Sequence, residues 1–359
     1  MKTGRTLVEL AQEITRQAAA KVDYVANTRQ IRLASDYLFG GKQSLNLHLE
    51  GVQGAFPLTT FAHRQLGEHV EIPAKYYDRM REQLPGLLTT NVNAWLDKNP
   101  APRLVRLLDG NARAFLSNRY RCIDNLDLAE AVLSVLHEIP DMQVASCELT
   151  ESRCYIKAVF PRIQGEVKRG DVVQSGVVIS NSEIGMGKLK IDPFIYRLVC
   201  TNGMISQESA DDAFSKLHVG RAYDADERVR ELMATETQQA ADRAFWLTVR
   251  DVVRASADSA RFARQLDAMR AAAEVRIEDS PVEVVERTAR TFGLNESERG
   301  SVLEHLIRDG DLSKWGLANA ITRTAQDSAS YDRATELETL GGNVVRLPAR
   351  DWNALAKAA

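Results

Sequence analysis

Apolar positions recur every three to four residues near both ends of the chain and alternate with polar ones through its middle. Leu7, Leu10, Ile14 and Ala18 fall on one face of a helix over about residues 5–20. After a break at Gly40-Gly41, Leu45, Leu47 and Leu49 alternate like a strand. Thr59 or Thr60 can cap a short helix that Gly67 ends, and Ile72-Pro73 opens another, because proline is tolerated in the first helical turn. Residues 87–96 predict one more short helix, ending before Pro100 and Pro102.

From Arg103 the period changes to two. Strand-like runs flank Asp109-Gly110-Asn111, a hairpin signal. Asp124 or Asn125 caps an amphipathic helix that Pro140 stops. Val144–Leu149 and Cys154–Phe160 predict a second hairpin. Residues 175–205, SGVVISNSEIGMGKLKIDPFIYRLVCTNGMI, predict two more strands joined by a turn at Gly185 and Gly187. Pro193 there marks a strand start, an edge or a bulge, since it cannot donate to a ladder, and Asn202-Gly203 reads as a closing turn. Beyond Gly220 the pattern is helical: Asp224–Ala255, Ser259–Met269, a helix from Ser280-Pro281, Asn295–Arg308 and Asp311–Ala325, with Gly341-Gly342 before a short apolar run at Val344–Leu347. The order β-β-α-β-β-β-β predicts an α+β fold. Its expected form is an antiparallel β-sheet core packed on a helix, with an N-terminal helical hairpin and a C-terminal helical region. Three parts are expected: residues 1–100, 101–222 and 223–359.

Composition narrows the function classes. The 359 residues carry a formal charge of −3, so a nucleic-acid site has to be a local patch. No run approaches the roughly 18 apolar residues of a membrane span, and the N-terminus reads as a charged amphipathic helix rather than a signal peptide. Cys122, Cys147, Cys154 and Cys200 have no paired spacing and read as free thiols in a reducing cytoplasm. The six histidines form no ligand pattern, so no metal and no cofactor are expected.

Candidate chemistry lies in the middle third. Arg103, Arg106, Arg113, Arg119 and Arg121 face only Asp109, and Arg153, Lys157, Arg162, Lys168 and Arg169 face only Glu166. Lys188, Lys190 and Arg197 add three more cations. Aromatic residues lie among them, and a cationic surface with interspersed rings suits single-stranded nucleic acid, whose phosphates take the charge and whose bases stack. Arg103, Arg113, Arg119, Arg121, Lys157, Lys188, Lys190 and Arg197 are the expected phosphate contacts, and Tyr120 and Tyr196 the stacking candidates. The structural alternative is a solvated strand face with its aromatics in the core. Gly185-Met186-Gly187-Lys188 is not a phosphate loop, because Ser182 and Leu189 stand where that motif needs Gly and Ser or Thr. The helix pair around Gly67 reads as an ordinary αα-hairpin rather than a helix-turn-helix, because Asp78 and Glu82 interrupt Lys75, Arg79 and Arg81. Asp124, Glu183 and Asp192 are the carboxylates a metal-dependent nuclease would use; helix capping and turns account for them as well, and no catalytic residue is assigned.

Three stretches resemble one family. SNSEIGMGKLKIDPFIYRLVCTNGMI, LSNRYRCIDNLDLAEAV from Leu116 to Val132, and WGLANAITRTAQD from Trp315 to Asp327 resemble the phage- and plasmid-associated domain-of-unknown-function family numbered 932. The resemblance implies a cytoplasmic mobile-element protein. With the cationic middle it leads to the expectation of a non-enzymatic, homo-oligomeric protein that binds single-stranded DNA, in the manner of strand-annealing recombination proteins. A metal-dependent nuclease and a protein-binding anti-defence factor are the alternatives.

Overall fold

The computed structural model describes residues 1–37, 43–120, 122–206 and 235–356. Gly40-Gly41, Arg121 and the first part of the helix expected from Asp224 lie outside the described residues. The fold is α+β with antiparallel sheets. Two compact units form, and they do not divide at residues 101 and 222. One comprises Gln12–Leu126 with Ser182–Gly187; the other comprises Met1–Ala11, Asp127–Asn181 and Lys188–Ala359. The first is called the N-terminal unit below, the other the C-terminal unit.

After helix α1 (Leu7–Ala20), the N-terminal unit holds strands β1 (Lys21–Asn27), β2 (Ile31–Tyr37), β3 (Gln43–Leu49) and β4 (Phe56–Pro57). Helices α2 (Thr60–His69), α3 (Ala74–Gln83) and α4 (Pro85–Lys98) follow, then strands β5 (Pro102–Leu108) and β6 (Asn111–Ser117). The strands pair as β1-β5-β6 and β2-β3-β4. Thr59 caps α2 through its side chain, and Pro85 opens α4, where its missing N–H costs nothing. Leu88, Val92 and Leu96 recur every four residues on α4 and pack with Ile31, Leu33, Leu47, Leu66, Met80 and Val105 in one core. The turn at Asp109-Gly110 forms as expected, with both residues at positive φ. Strand β1 is not signalled by alternation, whereas on β2 the buried Ile31 and Leu33 flank the exposed Arg32. Val22 and Val25 on β1 are exposed, so its apolar positions do not mark the buried face.

Helices α2 and α3 meet through a buried contact in which His63 Nδ1 and the Tyr77 hydroxyl lie 2.9 Å apart. Burial, with nearby Arg81, lowers the His63 pKa to about 4. Burial raises that of Tyr77 above the ordinary phenol range.

In the C-terminal unit a five-stranded meander, β7 (Gln143–Leu149), β8 (Cys154–Glu166), β9 (Val172–Asn181), β10 (Lys190–Arg197) and β11 (Asn202–Ile205), runs in the spatial order β11-β10-β9-β8-β7. It follows helix α5 (Asn125–Glu138) and precedes α6 (Thr235–Ala255), α7 (Ser259–Glu274), α8 (Pro281–Phe292), α9 (Glu296–Asp309), α10 (Lys314–Thr324), α11 (Tyr331–Arg346) and α12 (Ala349–Ala356). The expected single sheet with one helix is therefore divided. Strand β5 pairs with β1 on one side and β6 on the other, and the helices that pack on the meander include α10 and α11 against β11 and α7 against β8.

Three local expectations change for steric reasons. Asn202-Gly203 is not the turn but the start of β11; a Cβ on Gly203 would collide with the Phe194 ring. Pro193 lies within β10 between two partner strands. Its carbonyl accepts from Ser206, just past the end of β11, and a residue's N and C=O point to the same side of a strand. The missing donor thus falls where that ladder stops. Gly341-Gly342 lies inside α11, where a Cβ would run into Thr322 or the Ile205 carbonyl.

Two outcomes test this packing. Gly341→Ala forces α11 off α10, and overpacking of this kind costs about 1–3 kcal/mol, read as a lower thermal midpoint. His63 is neutral when folded but protonates near its ordinary pKa when unfolded. Stability is therefore retained above pH 6.5 and falls as pH drops from 6.5 toward 4, by at most about 1.4 kcal/mol per pH unit from this group. Urea midpoints across that window should drop less steeply in His63→Gln than in the wild type.

Candidate functional site

The ten expected contact residues are distributed over both units, and the sheets decide which of them reach solvent. On β5, Val105 and Leu107 enter the main core of the N-terminal unit, while Leu104 packs with Ala114, Leu116 and Ile184. Both faces of the β5–β6 hairpin are thus covered. The cations that alternation placed on a wet face are instead enclosed. Arg113 is buried and donates to Glu183 at 2.7 Å. Arg106 is fully buried and bonds to Asp23 and Asp124, each at 2.9 Å, and to the Glu183 carbonyl at 2.7 Å. Burial works against its charge, but these bonds more than offset that and hold the guanidinium above its ordinary range. Arg103 is half-buried, 2.5 Å from His69 Nδ1 and over the Phe115 ring.

The cover on the second face is the segment Ser182–Gly187, whose Ile184 packs into the small cluster. Glu183 uses both oxygens: one accepts from Arg113, the other from the Asn125 backbone N–H at the start of α5, at 2.7 Å. A carboxylate at a helix N-terminus also meets the positive end of the helix dipole. The Tyr120 hydroxyl donates to the Ser182 carbonyl at 2.9 Å, so this candidate stacking ring is tied down at its tip. Asp124 lies between Arg106 and Lys21. Burial would raise its carboxyl pKa, but the bonds to Lys21 and Arg106 leave it below the ordinary range. Two of the three carboxylates considered for a nuclease thus already have cationic partners. Among the described residues no three His, Cys, Asp or Glu side chains are placed to hold a metal ion.

In the C-terminal unit, Lys157 is fully buried against Glu338 at 2.5 Å and lies over the Tyr331 ring. Arg197 grips Asp171 with two bonds of 2.6 and 3.0 Å, and Asp171 also accepts from Trp315 at 2.9 Å. Tyr196 packs on a cluster of Val159, Val178, Phe194 and Ile205. Lys188 is exposed and Lys190 half-buried. In the N-terminal unit Arg119 is exposed, while Arg121 lies outside the described residues. Of the ten expected contact residues, Arg119 and Lys188 are thus the exposed cations among those described.

Other cations that sequence reasoning set aside are on the surface. Tyr77 and Met80 bury one face of α3 and leave Lys75, Tyr76, Arg79 and Gln83 exposed, together with Asp78 and Glu82. On α4, Trp95 is exposed with the Lys98 ammonium 4.8 Å from its ring centroid. The helical period was the available signal. Asp78 and Glu82 interrupt the basic residues of α3 in sequence, yet Asp78 faces Arg81 at 3.4 Å.

Residues 114–349 match the model of a family described as Domain of unknown function (DUF932), and the chain belongs to that family. No curated protein and no solved structure matches the chain. Among the described residues no helix is long and apolar enough to cross a membrane.

Glu183→Ala would strand the Arg113 guanidinium without its partner, and breaking a buried pair from one side costs roughly 3–5 kcal/mol. Chemical denaturation should show that loss. The double variant Glu183→Ala with Arg113→Met should recover a substantial part of it, because no uncompensated charge remains.

Proposed function

We propose that this chain binds single-stranded nucleic acid without catalysis, through the N-terminal unit. Charge partition carries the reading. Residues 12–126 and 182–187 hold 15 Lys and Arg against 12 Asp and Glu; of the chain's 46 and 49, that leaves 31 against 37 for the remainder. In a slightly acidic protein this unit is thus net positive, through fewer carboxylates rather than more cations. Phosphate contacts draw on such a local excess, because neutralising the backbone releases counterions. The expected contacts are exposed cations: Arg64, Lys75, Arg79, Lys98 and Arg119. In its finer form the reading is of a cytoplasmic mobile-element protein that self-associates along a strand and anneals complementary strands. The nuclease alternative draws less support, because Asp124 and Glu183 are engaged by Lys21, Arg106 and Arg113.

A salt titration tests the reading. With about five phosphates neutralised on a single strand, log affinity should fall against log salt with a slope of roughly −3.5. An oligonucleotide that fails to bind at low salt removes the proposal.

A further inference from the structure

Among the described Phe, Tyr and Trp residues two are exposed, Tyr76 at 48% and Trp95 at 39%. Both lie in the basic unit, on α3 and α4, two helices that pack together. Each has cations beside it. Lys75 precedes Tyr76 on the exposed side of α3, Arg79 follows one turn later, and Lys98 sits over Trp95. The acidic neighbours are partly offset: Asp78 faces Arg81 and Asp97 faces Arg32, while Glu82 is exposed. Lys75, Arg79 and Lys98 have no carboxylate within ion-pair distance among the described residues; Arg79 donates instead to the neutral Gln83 at 3.3 Å.

Exposing a large ring forgoes the stabilisation that burying it would bring. The other described Phe, Tyr and Trp rings are buried or half-buried. A ring flanked by unmatched ammonium and guanidinium groups suits a flat, electron-rich ligand attached to an anion, which is what a nucleotide unit is. We infer that Tyr76 and Trp95 are base-stacking residues and that Lys75, Arg79 and Lys98 hold the adjoining phosphates of an unpaired strand. The inference rests on the nucleic-acid reading above and replaces Tyr120 and Tyr196 as the stacking pair. Those two rings are occupied, by the Ser182 carbonyl and by the apolar cluster under β10.

The experiment titrates the full chain with oligothymidylate and follows tryptophan fluorescence. Trp315 and Trp352 are buried and Trp246 half-buried, so quenching reports chiefly on Trp95 and should be lost in Trp95→Phe. Tyr76→Ala and Trp95→Ala should each weaken binding roughly five- to hundredfold and leave the salt slope unchanged. Lys75→Gln with Arg79→Gln should instead flatten that slope by about 1.4. If oligothymidylate binds with a steep salt slope but the aromatic variants bind as tightly as the wild type, stacking is overturned while the nucleic-acid reading stands. Equal or tighter binding of a duplex of the same length also overturns stacking, because paired bases cannot lie on the rings. No binding at low salt removes both.

Discussion

A carboxylate taken out of water must have its oxygens met by donors, and Glu183 meets that requirement through two consecutive elements that lie 70 and 58 residues before it. Arg113 on β6 supplies a charged donor and the first turn of α5 supplies a backbone one. Either partner alone would leave a buried oxygen unpaired, at a cost comparable to a sizeable share of a domain's net stability. The Glu183 carbonyl adds Arg106, which in turn draws in Asp23 and Asp124. The segment Ser182–Gly187 is thereby fixed within the N-terminal unit, and the β5–β6 hairpin is left with no wet face.

That enclosure changes what the charges of the middle third mean. Arginine at alternate strand positions ordinarily signals a solvated face. Here the second face is covered as well, so Arg106 and Arg113 become internal pairing groups and the surface charge has to come from elsewhere. Lys157 follows the same course in the C-terminal unit, enclosed with Glu338. Buried pairs of this kind contribute little net stability over apolar residues of similar volume, but they penalise any arrangement that separates them.

The three stretches that carry the family resemblance meet pairwise. Tyr120 and Asn125 of the first stretch bond to Ser182 and Glu183 at the start of the second. Asn202 at the end of the second bonds to Asn319 and Thr322 of the third, whose Arg323 donates to the Cys200 carbonyl. Trp315, at the head of the third, shares Asp171 with Arg197 of the second. Much of the recognisable signature is therefore the hydrogen bonding that joins elements, and the rings and cations proposed to touch nucleic acid lie outside it, on α3 and α4.

Local chemistry was readable along the chain. Thr59 as a cap, Pro85 and Pro281 at helix starts, Asp109-Gly110 as a hairpin turn and the capping box at Asn295 each act within a few residues, so their outcomes follow from the neighbouring sequence. The same holds for the α+β class and for the exposed face of α3, which the helical period specifies. What sequence could not supply is which surfaces are covered. The placement of β5–β6 beside β1, the burial of Arg106, Arg113 and Lys157, and glycines seated inside α11 and β11 depend on residues up to hundreds of positions away. A cation's surroundings are set by what packs over it, and a stretch of sequence encodes its own periodicity but not the identity of its cover.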